Sequence, residues 1–333
     1  MRCSARPAAD AGPGLAEGSP GYVSEEESMA NGSLLRAACA VIATILAGGW
    51  AQANTLYMTG ITPTDKGNVG TVVAVDGSSV VTSWTIYGST LGLGGLLGNE
   101  SAIAVSSGVT TVGNNLCSGG CAPYPAYAAT YTLSGSFTGA SNLNVVPQYS
   151  PTQEDYLYDG TTDGTHNYAV GLLTGNVYSF DAGWQNASLL FALPGSGWDG
   201  ITYDPSNNSL WASTLGYGFD ASNDNVGDFA LNGALLSAFY ATTADGINYA
   251  LAMDPANQTL WFVKGVGGGA DQYSRTGTLL GSTSYPGLAG FNVFGAEFAE
   301  TASGTPEPGT ISLLVLGLTA LAYHRRSTLR QKD

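Results

Sequence analysis

Carboxylates are the one abundant group in this sequence with catalytic or cation-binding chemistry. Several fall just ahead of segments that read as short apolar strands: Glu100, Glu154, Asp155, Asp199 and Asp245, with Asn248 and Asn292 at related places. Two carboxylates roughly 6.5–9.5 Å apart suit an inverting glycosidase, one as acid and one as base. On that chemistry Glu100, Glu154 and Asp199 are the catalytic candidates. The same oxygen-rich set suits Ca2+. The plainer alternative is that these residues only solvate an acidic surface. Asp159-Gly160-Thr161-Thr162-Asp163-Gly164 has the early spacing of a Ca2+ loop, which makes Asp159 and Asp163 candidate metal ligands. However, Val170 stands where a bidentate Glu belongs. Asp220-Ala221-Ser222-Asn223-Asp224 lacks both the Gly and the terminal Glu, and both segments read as turns. His166 is the single histidine between residues 54 and 305, which leaves no His-based triad and no His-rich metal site. The Gly265 to Gly269 run has no helical pattern after it and reads as a loop, not a phosphate cradle.

The elements that must position these carboxylates come from a repeat. Gly200 to Trp211 and Ala250 to Trp261 align at an offset of 50 residues. Each is a short apolar strand, an Asp-Pro turn with Asn, and a strand that starts Leu-Trp. Asp caps such a turn and Pro pre-sets its dihedral. A hairpin with a Gly turn follows each copy: Asp228 to Leu236, carrying Asn232-Gly233, and Gln272 to Leu280, carrying Gly277. Looser copies occur at Val177–Phe191, Val72–Val81 and Ala129–Phe137. Five hairpins over residues 54–305 give about 50 residues each, the size of a four-stranded β-propeller blade. The expectation is an all-β propeller of five four-stranded blades over residues 54–300. Gly290–Phe298 reads as a first strand and Thr55–Met58 as a second, so the two ends of the domain would close the ring in one blade. Trp198, Trp211 and Trp261 fit blade-to-blade packing better than sugar platforms.

The chain has 10 Lys+Arg against 25 Asp+Glu, a net charge of −15. That acidity argues against nucleic acid as a partner, which needs clustered cations. Residues 54–305 hold three of the basic residues, Lys66, Lys264 and Arg275. The other seven flank apolar stretches at the ends. Leu34 to Ala47, with Arg36 near its start and Ala51-Gln52-Ala53 after it, reads as a secretory signal peptide over residues 29–53. Residues 1–28 are then a disordered leader or a mis-assigned start, with Met29 the true one. Cys117-Ser118-Gly119-Gly120-Cys121 fits a short disulfide in an oxidising compartment, since two thiolates without further Cys or His make a poor metal site.

At the other end, Pro306-Glu307-Pro308 precedes an apolar run from Gly309 to Tyr323 and then His324-Arg325-Arg326. This is a stiff linker over residues 301–309, then an apolar helix with a basic tail over residues 310–333. The order Pro-Glu-Pro, apolar segment, Arg pair resembles the PEP-CTERM sorting signal of exosortase substrates. The resemblance covers the last stretch of the chain only. It implies export through the translocon, transient retention in the inner membrane, and cleavage near Pro306-Glu307-Pro308 by an exosortase-like enzyme. Release or attachment at the surface of a Gram-negative bacterium that makes exopolysaccharide would follow, with exopolysaccharide or surface proteins as partners. The uninterrupted run is 15 residues, about 22 Å of helix against a hydrocarbon core of roughly 30 Å, enough for a transient anchor. The first expectation for function is therefore an exported, non-enzymatic propeller without a cofactor, unless Ca2+ serves as one. The alternative is a secreted hydrolase acting on carbohydrate with channel carboxylates.

Overall fold

The two Asp-Pro segments build the same turn. In the computed structural model, which describes residues 54–61, 70–86, 99–114, 126–144, 148–150, 153–195, 197–214, 224–242, 248–265 and 268–299, Asp204 Oδ1 accepts the Ser206 N–H and Asp254 Oδ1 the Ala256 N–H, each at 2.9 Å. Asn208 and Gln258 close the turns in the left-handed region, with φ of 56° and 57°. The side chains of Asn207 and Asn257 then accept from Ser209 and Thr259, which open the next strand. A reversal this short joins only adjacent antiparallel strands.

The strands follow in chain order. β1 (Leu56–Ile61), β2 (Gly70–Asp76) and β3 (Ser79–Ile86) begin blade I. β4 (Asn99–Val105), β5 (Val109–Asn114), β6 (Ala126–Tyr131) and β7 (Phe137–Asn144) form blade II. A short pair, β8 (Gln148–Ser150) and β9 (Gln153–Glu154), leads to blade III: β10 (Leu157–Thr162), β11 (His166–Gly171), β12 (Asn176–Asp181) and β13 (Ser188–Ala192). Blade IV is β14 (Trp198–Asp204), β15 (Ser209–Thr214), β16 (Val226–Ala230) and β17 (Leu235–Phe239). Blade V is β18 (Asn248–Asp254), β19 (Thr259–Lys264), β20 (Gly269–Tyr273) and β21 (Leu279–Ser284). Finally β22 (Asn292–Phe298) pairs antiparallel with β1, Leu56 against Phe298 and Tyr57 against Glu297, and completes blade I. The protein is a five-bladed β-propeller closed by its first and last described strands, as the repeat predicts.

Packing closes the same ring. Each pair of neighbouring blades shares one apolar cluster: Tyr57 and Val72 with Ile103 and Val109 between I and II, Ala102 and Val112 with Ala169 and Phe180 between II and III, Tyr168 and Val177 with Ile201 and Leu210 between III and IV, Trp211 and Val226 with Leu251 and Phe262 between IV and V, and Ala252 and Val263 with Leu56, Phe291 and Phe298 between V and I. Burial of one such side chain contributes about 1.5–3 kcal/mol. Trp198 and Trp211 are fully buried and Trp261 meets Phe298 edge-on at 5.7 Å, so all three tryptophans pack blade on blade. The hairpin glycines serve the same contacts. Gly233 and Gly277 turn with φ of 84° and 81°. A Cβ there would sit 2.9 Å from Phe191 and 2.8 Å from Phe239 of the preceding blade.

The signal-peptide stretch with Ala51 and Ala53, the Cys117–Cys121 pair, and Pro306, Glu307, Pro308, Arg325 and Arg326 lie outside the described residues. Among the described residues no helix is long and apolar enough to cross a membrane.

Candidate functional site

The first strands of the blades, β22, β4, β10, β14 and β18, lie side by side round the axis but belong to separate sheets, so no backbone ladder joins them. Side chains do that instead. Asp159 sits inside β10, not in a turn as its Asp-Gly context suggests; the turn begins at Asp163. The register of β10 on β11 slips between Leu157 and Gly160, a bulge that re-aims the residue within it. Asp159 Oδ1 accepts the N–H of Gly160 at 2.9 Å and of Ala296 at 3.0 Å. Its Oδ2 accepts the N–H of Ile201 at 3.1 Å and of Leu251 at 2.8 Å. One carboxylate thereby ties blades III, IV, V and I. Glu297 on β22 does the same at the next level: Oε1 accepts the Thr161 hydroxyl at 2.6 Å and the Thr162 N–H at 2.9 Å, while Oε2 accepts the Val105 N–H of blade II. Thr161 Oγ1 in turn accepts the Tyr203 N–H at 3.0 Å, and Thr202 Oγ1 the Met253 N–H at 2.9 Å.

Asp199 lies one residue into β14, at a bulge between Trp198 and Gly200. It is fully buried; neither carboxyl oxygen makes a hydrogen bond of good geometry, and the donors that favour its anion are the N–H groups of Asp199 and Gly200 in the bulge itself. Burial pushes Asp159, Asp199 and Glu297 well above the usual carboxyl range, and the Asp159 charge raises Asp199 further. Hydrogen bonds separate the three. Four N–H donors from four blades fill Asp159 and favour its anion, whereas the donors that favour the Asp199 anion are the N–H groups of its own bulge, Asp199 and Gly200.

The other candidates are scattered. Asp155, also buried, accepts from Leu173 N–H at 3.2 Å and from the Thr174 and Tyr178 hydroxyls, which pins the start of blade III to its own loop. Asp163 accepts the Thr165 and His166 N–H groups at 2.7 and 2.6 Å and the Tyr168 hydroxyl at 2.7 Å; these hold its carboxyl below the usual range. Asp159 and Asp163 are thus committed to separate hydrogen-bond sets. Among the described residues no three His, Cys, Asp or Glu come together as a metal cluster. Glu100 lies on β4 and Glu154 on β9, and Asn248 opens β18, but their side chains, like all of Asp245, fall outside the described residues. Asn292 opens β22.

A cavity of about 30 Å3 lies between Thr162, Thr202, Met253, Glu297 and Phe298, at the end of the axis where the Asp-Pro turns lie. That volume holds about one or two water molecules and no sugar ring. Sequence reasoning singled out Asp199 and Asp159 but not the axial role of Asp159, and it passed over Glu297. The signal for Glu297 was present: a lone acid inside the apolar run Phe294-Gly295-Ala296-Glu297-Phe298 of an innermost strand.

No family model matches this chain, and no curated protein matches it either. Solved structures similar to it include a chain of the nidogen/laminin complex, at 9% identity over 73% of this chain and 98% of that one, with a TM-score of 0.45. Others are glutaminyl cyclase from Myxococcus xanthus, at 13% identity over 60% of this chain and 70% of that one, TM-score 0.39, and a streptogramin B lyase, at 16% identity over 71% and 75%, TM-score 0.39.

Proposed function

We propose that this chain is an exported, non-enzymatic β-propeller of a Gram-negative bacterium, displayed at the cell surface or held in the extracellular matrix, and processed through its C-terminal sorting signal. The observation that carries the reading is the ordered set Pro306-Glu307-Pro308, the apolar run Gly309–Tyr323, and Arg325-Arg326, opposite a signal-peptide pattern ending at Ala51-Gln52-Ala53. The non-enzymatic part rests on the axis. The oxygens of Asp159 and Glu297 are already taken by amide and hydroxyl donors of the fold. A general acid or base has to exchange its proton with substrate, and a carboxylate clamped this way is a poor candidate.

The test replaces Pro306, Glu307 and Pro308 with Ala in the source bacterium and follows the protein by fractionation and intact mass. The expected result is accumulation of uncleaved chain in the inner-membrane fraction, because the recognition element is gone while the apolar run remains. Normal C-terminal processing of the triple variant sinks the reading.

A further inference from the structure

The Asp-Pro acids of blades IV and V stand at the same place in the repeat but meet different partners. Asp204 is 0% exposed and takes the Arg275 guanidinium of blade V at 2.7 Å; Arg275 also donates to Ser206 Oγ at 2.9 Å. A cation from the next blade round the ring thus answers the buried acid. Asp254, 7% exposed, is the counterpart in blade V, and its next neighbour round the ring is blade I. Its carboxylate accepts the Ala256 N–H at 2.9 Å, Asn257 Nδ2 at 2.8 Å and Asn54 Nδ2 at 2.5 Å. All three of these donors are neutral amides. A buried carboxylate gains from a counter-charge that amides do not supply.

Asn54 stands where blade I begins. The Ala299 N–H donates to Thr55 O at 2.9 Å and Leu56 pairs with Phe298, so β22 fixes the approach of Asn54 to blade V. Asn54 is itself 7% exposed, and its Oδ1 is buried without a donor. The junction of blades V and I is therefore short of a positive charge at Asp254 and of a donor at Asn54 Oδ1. Asn54 is also the residue that follows Ala51-Gln52-Ala53. Hydrolysis of the Ala53–Asn54 bond places the hydroxyl of water on the Ala53 carbonyl carbon and a hydrogen on the Asn54 nitrogen. The new α-amine, with an ordinary pKa of about 7.7–8.0, takes a further proton from solvent at neutral pH. Its nitrogen is joined to Asn54 Nδ2 through Cα, Cβ and Cγ, which confines it to roughly 7 Å from the Asp254 carboxylate.

We propose that removal of the signal peptide completes the ring: the α-ammonium of Asn54 pairs with Asp254 of blade V and donates to Asn54 Oδ1, as Arg275 pairs with Asp204 one blade earlier. This rests on the cleavage site read under the proposed function and gives that cleavage a structural consequence. The precursor has a neutral peptide bond at this point and makes the Asn54 side-chain contact alone. The mature chain adds a charge where its first strand meets its fifth blade, so processing strengthens closure.

The experiment compares three chains that end at Asp333 and begin at Asn54, Ala53 or Ala51, each released from a carrier by a protease that leaves no residue behind and purified in the same mild detergent. Each extra residue separates the ammonium from Asn54 by up to about 3.8 Å. The chain that begins at Asn54 should melt about 2–4 °C above the other two, the shift expected of one charge pair in a domain of this size. Asp254→Asn should erase the difference between the three chains. Should that variant fail to fold, acylation of the α-amine at pH 7 carries the test. In the folded Asn54 chain it should run about 10-fold slower than in the same chain in urea, the effect of a pKa raised by one unit. Equal melting of the three chains, or an α-amine as reactive folded as unfolded, overturns the ion pair and leaves the cleavage site standing. An exported protein whose intact mass places its N-terminus elsewhere overturns the link to processing, whatever the three chains show.

Discussion

Asp159→Asn is the sharpest test of how the ring is held. The parent carboxylate accepts four buried N–H groups, two at each oxygen. The carboxamide has one oxygen, so two N–H groups lose their acceptor and face an NH2 that only donates. Each buried donor left unsatisfied costs about 1–3 kcal/mol. The expected loss is about 2–6 kcal/mol, against a total stability of about 5–15 kcal/mol. At about 2–4 °C per kcal/mol for a domain of this size, the melting temperature should fall by about 4–24 °C. Asp159→Ala strands all four donors, a loss of about 4–12 kcal/mol, and should leave the chain unfolded or close to it. Asp199→Asn provides the contrast. It gives up at most the N–H contacts of its own bulge and removes a buried carboxyl, so it should melt at or above the parent. Thermal melts by circular dichroism, with protease resistance as a second readout, measure the order. An Asp159→Asn variant that melts with the parent or above it would refute the reasoning, because the charge would then matter more than the four acceptor sites.

In metal-free buffer the melting temperature should rise as pH is lowered from neutral toward about 5. Asp159, Asp199 and Glu297 have folded-state values raised by burial, so the folded chain binds protons more tightly and the stability present below the unfolded values is lost as pH climbs through the folded ones; Asp199→Asn should flatten this slope, and a pH-independent melt would count against the buried acids. Deletion of residues 286–305 should unfold or aggregate the domain, since it removes the buried Phe291, Val293 and Phe298 and the Glu297 acceptor; lost aromatics cost about 3–5 kcal/mol each. A chain ending at residue 304 keeps β22 and should melt as the parent does, so equal melting of the two truncations would mean that β22 contributes little to closure.

The fold was legible because the repeat is local. Asp-Pro-x-Asn followed by Leu-Trp encodes a turn and the strand after it with no help from tertiary contacts, and the Asn-Gly hairpin does the same for the outer pair. Closure was legible for a related reason: Leu56-Tyr57 copies Leu210-Trp211 and Leu260-Trp261 at the same blade position. The axis was less so. Strand periodicity tells which face a residue takes only while the register holds, and Asp159 and Asp199 both sit at bulges where it slips. From sequence Asp159 therefore looked like a loop ligand, although it lies in a strand and points to the axis.

The inner strands explain why acids gather there. They lie side by side without ladder bonds, so their inward N–H groups need acceptors that the sheets do not provide. A carboxylate accepts from several directions at once, and Asp159 and Glu297 together engage all five blades. Acidity at a propeller axis is therefore not in itself a sign of catalysis or of a ligand. What separates the three axial acids is where their donors come from. Asp159 has four donors and Glu297 three, and both are fully explained by the ring. The donors that favour the Asp199 anion are the N–H groups of its own bulge, Asp199 and Gly200, so this acid ties no second blade and is the axial residue that ring closure does not account for.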